Sequence, residues 1–371
     1  MSTPYLESIS ALSPPPEASS REINGNTPIA LSEFLDSLDY TDSPNFLKKG
    51  TRAFANAPNV GHIFRSATKS ECGLVGVYTL NDVANPTATT CPIVYVCQAK
   101  TEQAADQVHR LVWNQDVVPF LIVYTPVGIK FYSGFEYSKN GDGQLFPLKA
   151  FNEASSIAKQ FHSQEIDSGR LWKAWSSHLK PERRVNWRLL ENLRKLDTIL
   201  QRDFKLTATT SHALIGKYVY LSYLSHRDIL SDRKLAGWGI QHSDIFGKTA
   251  SVAKLAQVVH NLEDWLNGNI FPLALSGKNA PKSEHVKLVA GVFNGDDVSL
   301  SGARQLSLDF QAYDFSCIPI ETLSIVYEQF LHTPDQDGKS KGKEEGAYYV
   351  SVQAPRVDLL RLRLADMPKV C

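Results

Sequence analysis

Two short apolar runs separated by a helical segment constrain the fold of this chain most strongly. Residues 92–99 and 117–124 are rich in β-branched and aromatic side chains and are bounded by turn residues, which is typical of buried strands. Between them, residues 102–113 place apolar side chains at helical spacing. Further strands are predicted at 73–80 and at 129–135. This order of elements predicts an α/β domain with a mixed sheet and flanking helices.

The second half of the chain has the periodicity of helices. Apolar residues recur at i, i+3, i+4 and i+7 in residues 171–178, 187–204, 211–228 and 249–266, and a further helix is predicted at 320–331. A mainly α-helical domain is therefore predicted to follow the α/β domain. The expected organisation is a disordered leader at 1–28, the α/β domain at 29–148, a helical connector domain at 149–333, and a flexible loop with a C-terminal tail at 334–371.

Charge and cysteine content limit the classes of function. The chain of 371 residues has 39 Lys+Arg and 39 Asp+Glu, so its net charge is +0 and any contact with nucleic acid must come from a local basic patch. None of the five cysteines forms a CxxC pair, which favours free thiols in a reducing compartment. No apolar run approaches the roughly 20 residues of a membrane span, and no signal peptide is recognisable. We expect a cytoplasmic protein without a membrane partner.

A candidate catalytic site lies at the ends of two predicted strands. Asp82 follows one strand, and Gln98 and Lys100 end the next. Because side chains alternate along a strand, Gln98 and Lys100 are expected to face one site while Ala99 faces the core. Nucleases of the PD-(D/E)xK type use such a carboxylate to hold Mg²⁺ against a phosphate, and the Lys positions or polarises the attacking water. Asp82 is the predicted metal ligand, and Gln98 offers a neutral oxygen where a carboxylate is usual.

Three interpretations of this site are compatible with the sequence. The residues form an active, Mg²⁺-dependent nuclease site, or they belong to a nuclease fold that has lost its activity. The third interpretation is an ordinary strand that ends in a surface lysine. Whether the chain is an enzyme is therefore left open, and Mg²⁺ is expected as a cofactor only if the nuclease site is active.

A second candidate is a run of positive charge at the start of a predicted helix. Its cations are offset only by Glu182 and Glu191, and Trp187 lies among them. Such a helix can lie along phosphates, which need positive charge but no sequence code. The alternative is the solvated face of an amphipathic helix. A second, weaker basic spot spans 226–234. The predicted DNA-binding residues are Lys180, Arg183, Arg184, Arg188, Arg194 and Lys195.

The most specific motif lies in residues 313–349. There the sequence IPIETLSIVYEQFL is followed, after a charged loop, by GAYY. This combination resembles the entry into the catalytic domain of large adenine-N6 DNA methyltransferases of restriction–modification systems, including enzymes that fuse a nuclease and a methylase. The resemblance covers about residues 45–349, and it implies a nuclease-like N-terminal region.

The chain departs from this family after the Tyr-Tyr pair. In the family, Thr-Pro and then the S-adenosylmethionine-binding fold follow, whereas Val350 and Ser351 stand here. The sequence also contains neither the Gly-rich loop for the methyl donor nor the Asn/Asp-Pro-Pro-aromatic turn for a flipped adenine. We therefore expect no binding of S-adenosylmethionine. A truncated gene product and one half of a split system both fit this pattern.

The expected function is the N-terminal, DNA-handling part of a type II restriction–modification adenine-specific DNA methyltransferase, without the catalytic domain. One alternative is a stand-alone, Mg²⁺-dependent endonuclease of the PD-(D/E)xK type, and another is a non-catalytic interaction module. DNA is the expected partner, together with a separate methyltransferase subunit or a second copy of the chain. Self-association is expected because the helix at 320–331 is apolar on much of its circumference.

Overall fold

A computed structural model describes residues 29–57, 73–80, 90–138, 143–149, 157–267, 271–296, 298–300, 304–306 and 308–331. The leader at 1–28 and the tail at 334–371 lie outside the described residues. The rest of the chain has the predicted α/β class, with a six-stranded mixed sheet and many helices. No helix in the described ranges is long and apolar enough to cross a membrane.

The sheet follows the order of the sequence from one edge to the other. Every neighbouring pair of strands is antiparallel except β3 and β4, which are parallel. Strands β2 to β5 correspond to the predicted ones, and β1 and β6 add the two edges. The strands are β1 Phe46–Lys48, β2 Leu74–Leu80, β3 Cys91–Gln98, β4 Phe120–Thr125, β5 Gly128–Ser133 and β6 Gln144–Lys149.

The parallel pair depends on helix α3, Glu102–Gln115, which carries the chain from the end of β3 to the start of β4. Two successive strands that run parallel need such a crossover, because the chain must return to the starting end of the first strand before the second strand can pair with it. Thr101 caps the helix by accepting a hydrogen bond from the Ala104 backbone N–H at 3.0 Å. The buried side chains Ala105, Val108 and Val112 pack this helix on one face of the sheet.

Short helices cover the other face of the sheet. They are α1 Leu31–Ser37, α4 Ser163–Asp167 and α5 Arg170–Trp175. Phe34 on α1 and Trp172 on α5 belong to the same buried cluster as Phe120 and Phe131 of the sheet. The core of the α/β domain thus continues well beyond residue 148, where the sequence predicted the helical domain to begin.

Helices dominate from residue 185 onwards and share one core. The 19-residue α7 lies against α6 and α11, and its Thr207 cap accepts a hydrogen bond from the Thr210 backbone N–H at 3.3 Å. Helix α11 was not predicted. The helices are α6 Val185–Arg202, α7 Ala208–His226, α8 Asp232–Gly237, α9 Ser243–Phe246, α10 Val252–Leu266, α11 Ser283–Asn294 and α12 Ile320–Leu331. A small hairpin, β7 Val298–Leu300 with β8 Arg304–Leu306, precedes α12.

Helix α12 forms where it was predicted, but its apolar face is covered by the chain itself. Leu323, Val326 and Phe330 are buried in the helical core, and the helix packs against α6. Tyr327 lies so close to Gly216 of α7 that a Cβ on this glycine would be 2.7 Å from the tyrosine hydroxyl oxygen. The prediction that the apolar face of α12 is uncovered is therefore wrong for these residues. Self-association stays a prediction, but an uncovered face on α12 does not support it.

Candidate functional site

The end of β3 has the alternation that the sequence predicted. Gln98 and Lys100 are exposed, whereas Ala99 between them is buried. The backbone holds this end firmly, because the Gln98 N–H donates to the Gly73 carbonyl and the Ala99 N–H to the Tyr124 carbonyl, both at 2.9 Å. The two side chains thus stand on a fixed backbone at the edge where α3 begins.

Asp82 lies outside the described residues, so its place relative to Gln98 and Lys100 is not described. Leu80, the last residue of β2, pairs with Cys91 at the beginning of β3, and the strands are antiparallel. Gln98 is the last residue of β3. The three-residue site of Asp82, Gln98 and Lys100 stays a prediction.

Within the described ranges, no group of three or more His, Cys, Asp and Glu is arranged to hold a metal ion. Gln98 and Lys100 therefore have no described cluster of this kind beside them.

Two arginines of the predicted DNA-binding run, Arg183 and Arg184, contact the α/β domain. Arg183 lies 2.5 Å from a carboxylate oxygen of Glu136. Arg184 Nε donates to Asp116 Oδ1 at 2.8 Å, and its guanidinium lies 4.2 Å from the centroid of the Phe135 ring. These arginines hold the start of the helical domain on the sheet domain, so their charge is already paired.

Arg188 continues this contact one helical turn later. Its guanidinium donates to the backbone carbonyl of Tyr137 and lies 5.4 Å from the Trp113 ring. Trp113 in turn donates from its indole nitrogen to the Arg183 carbonyl at 3.2 Å. Although it belongs to α3, Trp113 is fully buried in the core of the helical domain.

Asp116 is the most constrained charge in this contact. It follows α3 directly, and its side chain is only 6% exposed. Burial raises the pKa of this carboxyl above its ordinary value, and the guanidinium of Arg184 opposes the rise. A buried ion pair of this kind is costly to break because one charge is left without a partner in a dry environment.

A second contact joins α3 to the residues that precede α12. The Asn114 amide nitrogen donates to the carbonyls of Arg110 and Ala312, both at 2.9 Å, and its oxygen accepts from the Asp314 N–H at 2.8 Å. The Tyr313 ring stacks on Trp113 with a centroid distance of 5.6 Å. We call this assembly the α3 joint. It is formed by Trp113, Asn114 and Asp116 of α3 with Arg184, Arg188 and Ala312–Asp314.

Beside the α3 joint, His109 is buried and uncharged. Burial lowers its pKa to about 4. Its Nε2 lies 2.9 Å from the Ser133 carbonyl and 2.8 Å from the Glu136 carbonyl, so Nε2 carries the proton that the two carbonyls accept. The ring stacks on Tyr132 at 4.1 Å between centroids. This histidine has a structural environment and no open space for a substrate.

The other three residues of the predicted DNA-binding run differ, because Lys180, Arg194 and Lys195 are exposed. Lys195 lies 2.7 Å from Glu191, four residues earlier on α6, and both side chains are more than half exposed. A surface pair of this kind stabilises a protein by only ~0.5 kcal/mol and opens readily. Of the six predicted residues, these three are the ones with exposed side chains.

The weaker basic spot at 226–234 also contains cations in two different environments. Arg227 donates to the Ile318 carbonyl at 3.1 Å and lies 4.6 Å from the Tyr223 ring centroid, so it ties α7 to the segment before α12. Lys234 instead lies beside the exposed Trp265 and the partly buried Trp238.

Comparison with protein-family models, with curated proteins and with solved structures finds no match to this chain.

Proposed function

We propose that this chain is the DNA-handling part of a restriction–modification protein of the adenine-specific DNA methyltransferase type. The observation that carries the proposal is the sheet around β3. An antiparallel β2–β3 pair is followed by the α3 crossover to a parallel β4, and Gln98 and Lys100 stand exposed at the end of β3. This order of elements supports a nuclease-like sheet, and the resemblance of the motif at 313–349 supports the proposed family.

Two separate places on this surface carry positive charge for a duplex. Lys100 precedes α3, and Lys180, Arg194 and Lys195 lie before or on α6. All four side chains are exposed. They provide the phosphate contacts of the proposed duplex site, whereas Arg184 is already paired with Asp116 and does not contribute.

The test is a charge reversal that leaves the α3 joint intact. Lys180, Arg194 and Lys195 are replaced together by Glu, and binding of a labelled duplex of about 30 base pairs is followed by fluorescence anisotropy at several salt concentrations. We expect at least tenfold weaker binding, similar for any sequence, and a salt slope reduced by about 2 to 3.

The matched control reverses three exposed lysines elsewhere in the helical domain, Lys248, Lys278 and Lys287. It changes the net charge by the same amount, so it separates a local phosphate site from a general effect of charge. Equal affinity of the two triple variants for the duplex would overturn the proposed site. Wild-type protein that binds no duplex at low salt would overturn the proposed function.

The alternation of Gln98, Ala99 and Lys100 also favours the second candidate, a Mg²⁺-dependent endonuclease. The lysine is exposed at a strand end, so Lys100→Ala is expected to leave the fold intact. Nicking of a supercoiled plasmid with Mg²⁺, and its loss both in Lys100→Ala and with a chelator, would support catalysis. Nicking that persists in Lys100→Ala would remove Lys100 from the chemistry, and the control Lys49→Ala, at another exposed lysine, should nick like wild type.

A further inference from the structure

Helix α8, the residues after it and the end of α10 enclose a cleft of about 250 Å³. Trp238 and Trp265 form two of its walls, with ring centroids 6.1 Å apart and planes at 71°. We call this feature the Trp cleft. Drug-sized ligands occupy pockets of roughly 300–1,000 Å³, so this cleft suits a smaller group, such as a single planar ring.

Apolar side chains are concentrated on the surface around the Trp cleft. Ile229, Trp265 and Leu266 are each at least 40% exposed, whereas Leu262, one turn before Leu266, is buried. Single exposed apolar residues are common on proteins, but a group that includes an indole marks a binding surface. Trp265 lies near the C-terminal end of α10 and is not among the buried side chains of the helical core.

The side chains that line the Trp cleft include positive charges but no negative ones. Arg233 and Lys234 line it, and none of its lining residues carries a carboxylate. Within the described ranges, neither cation forms an ion pair, and the nearby Asp264 lies 3.5 Å from His260. Lys234 Nζ instead lies 3.8 Å from the Trp265 ring centroid and 5.8 Å from that of Trp238. An anionic ligand therefore has no internal carboxylate to compete with.

We infer that the Trp cleft binds one unpaired base of a single-stranded nucleic acid, with the adjoining phosphates at Arg233 and Lys234. A base stacks on an exposed indole without sequence preference, since every base has a π-face. When the base enters, Lys234 moves from the ring to the phosphate and exchanges a cation–π contact for a charge pair. This site is distinct from the duplex contact proposed above and does not depend on it.

The test uses the full chain and a fluorescein-labelled strand of about 12 thymidines, a length within the usual range of single-strand sites. Binding is measured by anisotropy and by quenching of tryptophan fluorescence. Stacking of one base predicts that Trp265→Ala weakens binding roughly 5- to 100-fold and that Trp265→Phe recovers most of it. Lys234→Ala is expected to weaken binding and to reduce the salt slope by about one.

The control is Ile320→Ala, because Ile320 is 48% exposed on α12 but lies outside the Trp cleft and outside the basic run at 180–195. This variant is expected to bind the strand within about twofold of wild type. Thermal melting of each variant shows that the fold is retained, and Trp265→Phe serves if Trp265→Ala melts early.

Three outcomes would overturn the inference. The first is unchanged strand affinity in Trp265→Ala, and the second is the absence of any strand binding by the wild type at low salt. The third is equally tight binding of polyglutamate with the same sensitivity to Trp265→Ala, which identifies a groove for acidic peptides. The Lys180, Arg194 and Lys195 charge reversal loses duplex binding alone, so failure of the duplex site and failure of the Trp cleft are distinguishable.

Discussion

The α3 joint and the Trp cleft both place a cation over an aromatic ring, but only the joint supplies a carboxylate. Arg184 lies 4.2 Å from the Phe135 ring centroid and pairs with the buried Asp116. Lys234 lies 3.8 Å from the Trp265 ring centroid, and no acidic residue lines its cleft. The run at 180–195 has the higher density of positive charge, yet Arg183 and Arg184 are paired with carboxylates and Arg188 donates to a backbone carbonyl. The position of acidic partners in space therefore decides which cations can meet a ligand.

The largest expected effect comes from Arg184→Ala. The substitution leaves Asp116 buried without a cation and removes the contact with Phe135. We expect a loss of about 4 kcal/mol in the free energy of unfolding at pH 7, as for other buried pairs broken on one side. Urea denaturation measures it. Arg194→Ala, on the exposed part of the same helix, is the control and is expected to change stability by less than about 0.5 kcal/mol.

The pH dependence sharpens this result. A carboxyl whose pKa is raised in the folded state binds protons more tightly there than in the unfolded chain, so ionisation above its ordinary pKa destabilises the fold. Without Arg184 the pKa of Asp116 rises further. The loss in Arg184→Ala should thus be smaller at pH 4 than at pH 7. An equal loss at both values of pH would show that Asp116 is not the source of the effect.

His109 gives the next largest effect. Its folded-state pKa is about 4, below the ordinary value near 6.5, so the unfolded chain binds the proton more tightly. The stability from this residue is present above pH 6.5 and is lost as the pH falls towards 4, by about 3 kcal/mol. His109→Gln should unfold with a weaker acid dependence between pH 7 and pH 4. In the control His260→Gln, which replaces an exposed histidine, the acid dependence should match that of wild type.

Asn114→Ala tests the other half of the α3 joint. It removes three hydrogen bonds and leaves the Asp314 N–H without its acceptor. We expect a loss of about 2 kcal/mol, the usual cost of unsatisfied buried polar groups. Asn279→Ala, in an exposed loop, should leave the unfolding midpoint unchanged. A loss confined to about 0.5 kcal/mol in Asn114→Ala would mean that water replaces the amide there.

The smallest effect on stability is expected in the Trp cleft. Lys234→Ala removes a cation–π contact at the surface, worth at most about 1 kcal/mol. Its thermal midpoint should stay near that of wild type, in contrast to Arg184→Ala. A loss as large as that in the α3 joint would make Lys234 a structural residue and would end the distinction between the two regions.

The sequence predicts the elements of this fold better than their arrangement. Period-two and helical patterns locate β2 to β5, α3 and α12 within a few residues. Strand β1 escapes prediction because three residues are too few for a pattern. Helix α11 escapes it because Gly291 lies inside an almost uniformly apolar segment, where periodicity has little contrast. The α/β class of the fold follows from local sequence patterns. The residues at which each hydrophobic core begins and ends depend instead on long-range packing.

The candidate sites show the same limit. Alternation along β3 predicts that Gln98 and Lys100 are exposed together, because it is a local property. Which end of β2 lies beside them depends on the antiparallel register, and this is a long-range property that local patterns do not predict. Likewise, nothing near Arg183 and Arg184 in the sequence points to Glu136 and Asp116 as their partners. A single aspartate after a helix carries no sign of a distant arginine.

The bond between Asn114 and Ala312 also has a consequence for synthesis of the chain. The two residues are 198 positions apart, so at roughly 5–20 residues per second the ribosome delivers Ala312 about 10–40 s after α3. During that interval the buried Trp113 and the amide of Asn114 lack their final neighbours. A nascent chain at this stage presents an indole and an unpaired amide on an otherwise formed helix. Such a surface is a binding site for chaperones, and a translational pause before residue 312 would prolong their contact with the chain.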